Sequence, residues 1–320
     1  MVTCENRLPS TMRMLTRVRP SLPPPIPGLQ EMLFLPPNSH RGGEGGLRHR
    51  GCFKESRPGV PRITVVTVVR NRVSDIAATI ESVLAQSYGP LEYIVIDGAS
   101  TDGTEDVIRR YEDAIDYWVS EPDWGISDAF NKGLRVATGE WINFMNAGDR
   151  FADPDVAGRV ARIVDGSLDL VSGRVNLVDA AGRVLYTIGG PYSREQFRRR
   201  MTLPHQSVFH NRAYFERYGC FDADLAICMP YELLARKPKL AAGYLPMVVA
   251  NMLAGGVTET QGLWACSVYR AVKRKYFSDL SRTTITADYW KGVVRYFARR
   301  LLTCLGLGAI VRRYRALRAR

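Results

Sequence analysis

The stretch that decides the fold runs from residue 63 to residue 149, and reads ITVVTVVRN at 63–71, YIVIDGASTDGT at 93–104 and EWINFMNAGD at 140–149. Each piece opens with an apolar run typical of a buried strand and closes with polar, acidic or glycine residues. Segments with one apolar helical face, such as 75–86, separate the runs. This alternation predicts an α/β fold with a central, mostly parallel sheet flanked by helices.

Acidic residues follow two of these predicted strands. Ligands of open parallel sheets bind beyond the carboxyl ends of the strands, where Asp97 and Asp149 stand. A carboxylate at the end of a buried strand is costly unless it is paired or bound to a metal, and hard oxygen ligands suit Mg²⁺ or Mn²⁺. Taken alone, however, each motif is better explained as a turn, since Asn, Gly and Asp favour turns.

The charge of the chain is unevenly distributed over its 320 residues. Residues 1–62 carry 10 Lys and Arg against 4 Asp and Glu, residues 63–263 carry 20 against 26, and residues 264–320 carry 14 against 2. An acidic central region argues against a core that binds nucleic acid, so we expect no such partner. The six cysteines show no paired or metal-finger spacing, which favours free reduced thiols.

Three regions follow from composition. Residues 1–60 are rich in Pro, Gly and Arg without apolar periodicity, which predicts a disordered extension. Residues 61–262 form the predicted α/β domain, and residues 263–320 a basic amphipathic helical tail. The N-terminus lacks the apolar segment of a secretory signal, and no run reaches the roughly 18 to 20 apolar residues of a spanning helix.

The basic tail mixes aromatic and cationic residues between 289 and 300. Helices that lie on anionic membranes have this composition, so residues 264–320 predict contact with an anionic membrane surface. The alternative is a helix that packs on the α/β domain and exposes a solvated basic face.

The order of the motifs resembles glycosyltransferase family 2, the inverting enzymes with the GT-A fold. Further matching segments are ESVLAQSY at 81–88, SEPDWGISDAFNKGL at 120–134 and LPHQSVF at 203–209. The resemblance covers about residues 62–258. It is greatest to bacterial enzymes of exopolysaccharide and colanic-acid-type assembly, and it implies a Rossmann-like fold for transfer from nucleotide-diphosphate sugars.

The resemblance also implies roles for individual residues. Asp149 would bind Mn²⁺ or Mg²⁺, and His205 would lie on the acceptor side, although a structural histidine is the alternative. Asp128 is equally explained as a helix cap. The residues implied to contact the nucleotide-sugar donor are Val69, Asn71, Asp97, Gly98, Ser100, Asp123, Asp128, Lys132, Asn146 and Ala147.

Three departures from the family pattern affect the chemistry. The pair of acids often seen at the loop after the third strand is Gly148-Asp149 here, which leaves one carboxylate for the metal. Residues 228–232 read CMPYE, so Pro230 occupies the position of the usual catalytic carboxylate. Glu232 lies two residues further on, and on a helix this shift rotates its side chain by about 200° away from the direction of residue 230. With Pro230 unable to act as a base, Glu232 and His205 remain the candidate catalytic residues. Arg70 stands where an aromatic residue often stacks on the nucleobase.

These implications predict single displacement with inversion. The donor is expected to be a UDP-sugar and the acceptor a saccharide or lipid-linked hydroxyl, in exopolysaccharide or cell-envelope assembly. The expected location is cytoplasmic, on the inner face of the plasma membrane. One alternative is a catalytically impaired nucleotide-sugar-binding protein. Another is a dinucleotide enzyme, but residues 70–75 read RNRVSD where such an enzyme needs a Gly-x-Gly-x-x-Gly turn.

Overall fold

A computed structural model describes residues 9–55, 57–255 and 262–307. The strands of this part are β1 (Leu15–Thr16), β2 (Gly43–Gly45), β3 (Phe53–Lys54), β4 (Ile63–Val69), β5 (Leu91–Asp97), β6 (Tyr117–Ser120), β7 (Trp141–Asn146), β8 (Arg150–Phe151), β9 (Leu170–Val178), β10 (Val184–Ile188), β11 (Phe209–Asn211) and β12 (Ala242–Leu253). The helices are α1 (Ile76–Leu84), α2 (Thr104–Arg109), α3 (Ile126–Val136), α4 (Val156–Ala161), α5 (Arg194–Arg199), α6 (Arg212–Tyr218), α7 (Met229–Ala235), α8 (Gly262–Tyr276) and α9 (Arg282–Cys304).

Ten strands of the described residues form one sheet in the order β2-β6-β5-β4-β7-β11-β9-β12-β8, with β10 paired to β9. Strand β4 lies parallel to both β5 and β7, and β6 lies parallel to β5. Val69 pairs in register with Asp97, and Val68 pairs with Asn146. The carboxyl ends of β4, β5 and β7 therefore meet at one edge, and the prediction of a mostly parallel α/β sheet is confirmed.

The apolar runs form strands because both faces of this sheet are covered. All seven residues of β4 and all seven of β5 are buried. Val65 belongs to a core cluster that includes Ile80 of α1, whereas Val66 belongs to the cluster that includes Phe130 of α3. Successive side chains of a strand point to opposite faces, so a strand covered on both sides is mostly apolar, and its polar residues need buried partners, as Glu92 has in Arg48.

The N-terminal segment corrects the composition-based prediction. Residues 9–55 are ordered and pack on the domain, and β2 extends the sheet by pairing antiparallel with β6. Ile26, Leu33 and Leu35 are buried although they show no periodicity. Disorder was therefore the wrong expectation for residues 9–55, because isolated apolar side chains fill separate sites on the domain surface. Residues 1–8 lie outside the described part.

The basic tail begins as two helices that pack on each other. Gly262 and Cys266 of α8 lie against Tyr296 and Gly292 of α9, so the helices run in opposite directions. The ring of Tyr269 in α8 packs against that of Tyr231 in α7, with the ring centroids 4.5 Å apart. Within the described residues, no helix is both long and apolar enough to cross a membrane. The predicted tail also includes residues 308–320, which the structure does not describe.

Candidate active site

The loop after β5 is built around Asp97, whose side chain is fully buried. Its carboxylate accepts hydrogen bonds from the Ser120 hydroxyl at 2.6 Å, the Ser100 amide at 3.0 Å and the Ser100 hydroxyl. The Ser100 oxygen in turn accepts the Asn71 backbone N–H at 2.7 Å. Asp97 thus joins the loops after β4 and β5, and Val69 lies beside it in register.

Gly98 is the point where three segments come together. A Cβ atom there would lie 2.2 Å from Asp123 Oδ2 and 3.4 Å from Arg70 Cδ. The other Asp123 oxygen accepts the Gly125 N–H at 2.9 Å, which fixes the direction of the carboxylate. A side chain at position 98 would displace the Asp123 carboxylate, so glycine leaves the space that this carboxylate occupies.

Asp128 and Lys132 stabilise the start of α3. Asp128 Oδ2 accepts the Trp124 N–H at 3.1 Å, but Gly125 is the N-cap of α3 and no side chain caps it, so Asp128 lies in the first turn and is not the helix cap. Lys132 Nζ lies 2.8 Å from Glu121 and donates to the Pro122 carbonyl at 2.6 Å. Burial opposes ionisation of Glu121, but Lys132 and Arg41 outweigh it and lower the pKa of that carboxyl. Asp128 and Lys132, which the resemblance implies to contact the nucleotide sugar, therefore also fix the loop before α3.

Asp149 lies in a tight turn after β7, where Ala147 N–H donates to the Val68 carbonyl at 3.2 Å. Its side chain is 5% exposed, and its two oxygens accept Gln206 Nε2 at 2.9 Å and the Leu253 N–H at 3.1 Å. Burial raises the pKa of Asp149 to about 6, although these two donors oppose the shift. The carboxylate is desolvated and held from two sides.

The residues around Asp149 fit a hard divalent cation. The Asn146 Oδ1 atom is buried and has no hydrogen-bond partner in the described part of the chain. The side chain of Asn146 also contacts the Asp149 carboxylate and acts to lower its pKa. Residues 9–55, 57–255 and 262–307 contain no group of three His, Cys, Asp or Glu that could hold a metal. A cation here would therefore share Asp149 and Asn146 with phosphate oxygens of a ligand, as Mg²⁺ commonly does.

His205 is surrounded by aromatic rings rather than by polar partners. Its ring centroid lies 5.2 Å from that of Phe130 and 5.7 Å from that of Phe144. Both ring nitrogens are buried, without a hydrogen-bond partner among the described residues, and burial lowers the pKa of His205 to about 4. A neutral imidazole of such low basicity is a poor general base near pH 7. The structural-histidine alternative describes this environment better than the catalytic hypothesis does.

Glu232 is occupied by an internal ion pair, which corrects its candidacy as the catalytic base. Its carboxylate is 2.6 Å from Arg236 Nη2 and also accepts the hydroxyl of Tyr276 in α8. Arg236 donates further to the carbonyls of Tyr218 and Cys220 at 2.7 and 2.8 Å. The side chain is turned toward α8 because of its position on helix α7, and it ties that helix to the tail.

Sequence reasoning missed several residues of this region. The resemblance implies that His205 and Gln206 form a pair near the acceptor side, and it gives no sign of the hydrogen bond from Gln206 to Asp149. Arg72 lies near the Asp149 turn, since a Cβ at Gly148 would be 3.4 Å from its Nη2 atom. Trp124 is 92% exposed, on a loop whose backbone is held by Asp128. Arg72 belongs to none of the motifs, so the sequence gives no signal for it. Trp124 follows Asp123 in one of the matching segments, so its position beside a predicted donor residue is visible in the sequence.

The family model described as Glycosyl transferase family 2 matches residues 64–227 of the chain. An uncharacterized glycosyltransferase of Mycobacterium tuberculosis is 32% identical over 181 residues, which cover 55% of this chain and 68% of that protein. A PGL/p-HBAD biosynthesis glycosyltransferase of Mycobacterium bovis is 26% identical over 209 residues, 62% of this chain and 80% of the relative.

Two solved structures share the fold. One is the mannosyltransferase PcManGT from Pyrobaculum calidifontis in complex with GDP-Man and Mn²⁺, with a TM-score of 0.54 and 19% identity over 81% of this chain and 84% of that one. The other is TarS 1–349 of S. aureus in complex with UDP-GlcNAc, with a TM-score of 0.52 and 14% identity over 74% and 73%. With the family match, these likenesses confirm the expected GT-A fold.

Proposed function

Because the chain belongs to glycosyl transferase family 2, we propose that it moves a sugar, with inversion, from a nucleotide-diphosphate donor to a hydroxyl group. The expected donor is a UDP-sugar, and the acceptor a saccharide or a lipid-linked glycan of exopolysaccharide or cell-envelope assembly. The main support is the convergence of Asp97, Asp123 and Asp149 at the shared edge of β4, β5 and β7. The name of the mycobacterial PGL/p-HBAD relative supports the envelope assignment.

The nucleoside half of the donor fits the surface around Gly98. Asp123 presents a partly exposed acceptor-only carboxylate that suits the N–H groups of a base or the hydroxyls of a ribose, and buried Asp97 fixes the loop beside it. The absence of a side chain at Gly98 allows close approach between them. The Arg70 side chain passes over the same glycine, and its planar guanidinium can stack on a base where other proteins use an aromatic ring.

The diphosphate half fits the turn after β7. Asp149 and Asn146 would hold Mn²⁺ or Mg²⁺, which neutralises charge on the departing nucleoside diphosphate. Arg72 adds a positive charge on the same side, and its charge also counteracts the raised pKa of Asp149. Gln206 keeps the Asp149 carboxylate directed toward this position. Attack on the anomeric carbon from the face opposite the diphosphate gives inversion.

The acceptor hydroxyl must lose a proton during attack, and Pro230 cannot take it. The loop 221–225 docks on α3, where Asn131 bonds both backbone groups of Phe221 at 2.8 and 3.0 Å. Asp222 on this loop is a partly exposed carboxylate that accepts the Asp224 N–H at 3.0 Å. We infer that Asp222 is the candidate base. The second function, donor binding with impaired transfer, is favoured by Pro230 itself.

The test is a thermal-shift series on the full chain with UDP, GDP and their sugars, with and without Mn²⁺. At a ligand concentration of 100 times Kd, the melting temperature should rise by about 5 °C. Asp149→Asn, which preserves side-chain volume, should lose the Mn²⁺-dependent part. The matched control Asp165→Asn changes an exposed acid and should behave as the native chain.

Release of nucleoside diphosphate from the stabilising donor then separates the two functions. Measurable release supports transfer, whereas stabilisation without release supports the impaired binding protein. If no nucleotide stabilises the folded protein, both assignments are wrong.

A further inference from the structure

Helix α9 has two opposite faces with different surroundings. On its inner face Ile285 is buried, while Gly292 and Tyr296 lie against Cys266 and Gly262 of α8. The Asp288 carboxylate of the same face is 2.8 Å from Lys273. The inner face therefore holds α9 against the rest of the chain and fixes which side chains point outward.

The outward side of α9 is apolar. We name the outer stripe as the residues Trp290, Val294, Phe297, Leu301 and Leu305, which are 58%, 64%, 55%, 62% and 63% exposed. Their spacing places them within an arc of about 80° on a helix of 3.6 residues per turn. Gly292 of the inner face lies roughly opposite this arc. Soluble proteins rarely expose a continuous apolar row of this kind unless it contacts a partner.

Cations border the outer stripe on both sides. Lys291 and Arg295 are exposed along one edge, and Arg282 and Arg300 are exposed along the other. Arg300 donates to the Tyr296 hydroxyl at 3.2 Å, which holds its guanidinium at the boundary between the outer stripe and the inner face. Long cationic side chains in such positions cover apolar surface with their stems and extend their charges to the rim.

We propose that the outer stripe docks on the anionic surface of a phospholipid bilayer, with α9 lying in the membrane plane. The apolar row would enter the boundary of the acyl chains, and the flanking cations would meet headgroup phosphates. A second copy of the chain is a poor occupant, because self-association would bring these cationic borders close together. An anionic lipid surface complements both borders at once.

The docking is independent of the proposed glycosyl transfer, because the outer stripe belongs to α9 and the donor site to the edge of the sheet. The experiment uses the full chain and vesicles of phosphatidylcholine, with or without phosphatidylglycerol. We expect co-sedimentation with the phosphatidylglycerol vesicles that weakens at high salt, and little with phosphatidylcholine alone. Quenching of Trp290 fluorescence by brominated lipid, absent in Trp290→Phe, should accompany binding.

The double variant Val294→Asp/Phe297→Asp should weaken vesicle binding by at least about tenfold. Val184→Asp changes a similarly exposed apolar residue, 57% exposed on β10, and should bind as the native chain does. The nucleotide-dependent thermal shift of both variants should be unchanged, which shows that they are folded. Arg295→Gln/Arg300→Gln should weaken binding and reduce its salt dependence.

Two results would overturn the proposal. One is equal vesicle binding by the native chain and the stripe variant. The other is a concentration-dependent dimer of the native chain that the stripe variant dissociates, with no binding of either to anionic vesicles.

Discussion

The side-chain amide of Gln206 donates a hydrogen bond to Asp149 Oδ2 over 2.9 Å, across 57 residues of sequence. The other oxygen of Asp149 is held by the Leu253 N–H. One carboxylate thus joins the turn after β7, the short 3-10 helix His205–Ser207 and the end of β12. Any cation at Asp149 would depend on Gln206 for the orientation of its ligand.

Replacing Gln206 by Met should remove this orientation while preserving side-chain volume. We expect the apparent Kd for Mn²⁺ in the presence of donor to rise about tenfold or more, as for other groups that orient a metal ligand. A Mn²⁺ titration followed by thermal shift measures this. Gln196→Met, at an exposed position of α5, is the control and should leave the titration unchanged.

Replacing Glu232 by Gln should lower stability but not turnover. The variant loses the ion pair to Arg236, so we expect the free energy of unfolding to fall by about 1 to 3 kcal/mol. The rate of nucleoside diphosphate release should stay within about twofold, because Arg236 and Tyr276 occupy the Glu232 carboxylate. Glu195→Gln on exposed α5 is the matched control. A loss of turnover without a loss of stability would return Glu232 to the catalytic role.

Replacing Pro230 by Asp tests the missing carboxylate directly. The position lies in the first turn of α7, where the positive end of the helix favours an ionised acid. Because Asp222 is the proposed base and Pro230 is buried, we expect turnover with acceptor to stay within about twofold. A rise of tenfold or more in Pro230→Asp would instead assign the base to position 230, since a positioned base contributes roughly 10² to 10⁴. Pro230→Asn matches the shape without the charge. If the two variants turn over equally, the base lies elsewhere, and Asp222→Asn should then abolish transfer.

The N-terminal segment should contribute to stability through Arg48, whose guanidinium is 2.7 Å from buried Glu92. Replacing Arg48 by Met leaves that carboxylate without its partner, which should cost about 3 kcal/mol or more at pH 7. Exposed Arg50→Met is the control and should change little. Urea denaturation of both variants measures the difference. A negligible loss for Arg48→Met would show that the segment is dispensable.

The ion pair between Arg48 and Glu92 should also make the free energy of unfolding depend on pH. Burial acts against ionisation of Glu92, but Arg48, Arg62 and Thr138 outweigh it and lower its pKa to about 2. A lowered carboxyl pKa contributes stability above the unfolded value near 4.5, and this contribution is lost as the pH falls toward 2. In Arg48→Met the acid can neutralise itself by taking up a proton. The destabilisation by this variant should therefore be smaller at pH 4 than at pH 7.

Trp124 should act on the acceptor and not on the donor. Its exposed indole next to Asp123 offers an apolar face on which a saccharide ring can stack. Trp124→Ala should raise KM for the acceptor by about fivefold to tenfold, while donor-dependent thermal stabilisation stays the same. Trp264→Ala, which removes another exposed indole, is the control. Equal acceptor KM in the native chain and Trp124→Ala would exclude the stacking role.

Much of the fold was predictable because its signals are local. A strand covered on both faces is a mostly apolar, β-branched run, as at residues 63–69. Parallel strands place Asp97 and Asp149 at a common edge. Residues 9–55 gave no such signal. Their order depends on contacts with distant residues, such as that of Arg48 with Glu92, which composition does not record.

The amino-acid sequence by itself determined the α/β sheet, the family and the acids at the carboxyl edge, because periodicity and motif order are properties of neighbouring residues. Only the tertiary structure decided that Gln206, and not His205, donates a hydrogen bond to Asp149. It also decided that the Glu232 carboxylate forms an ion pair with Arg236. Each of these outcomes depends on how a helix or turn is rotated against the segments that pack on it. That rotation follows from burial and pairing over the whole chain.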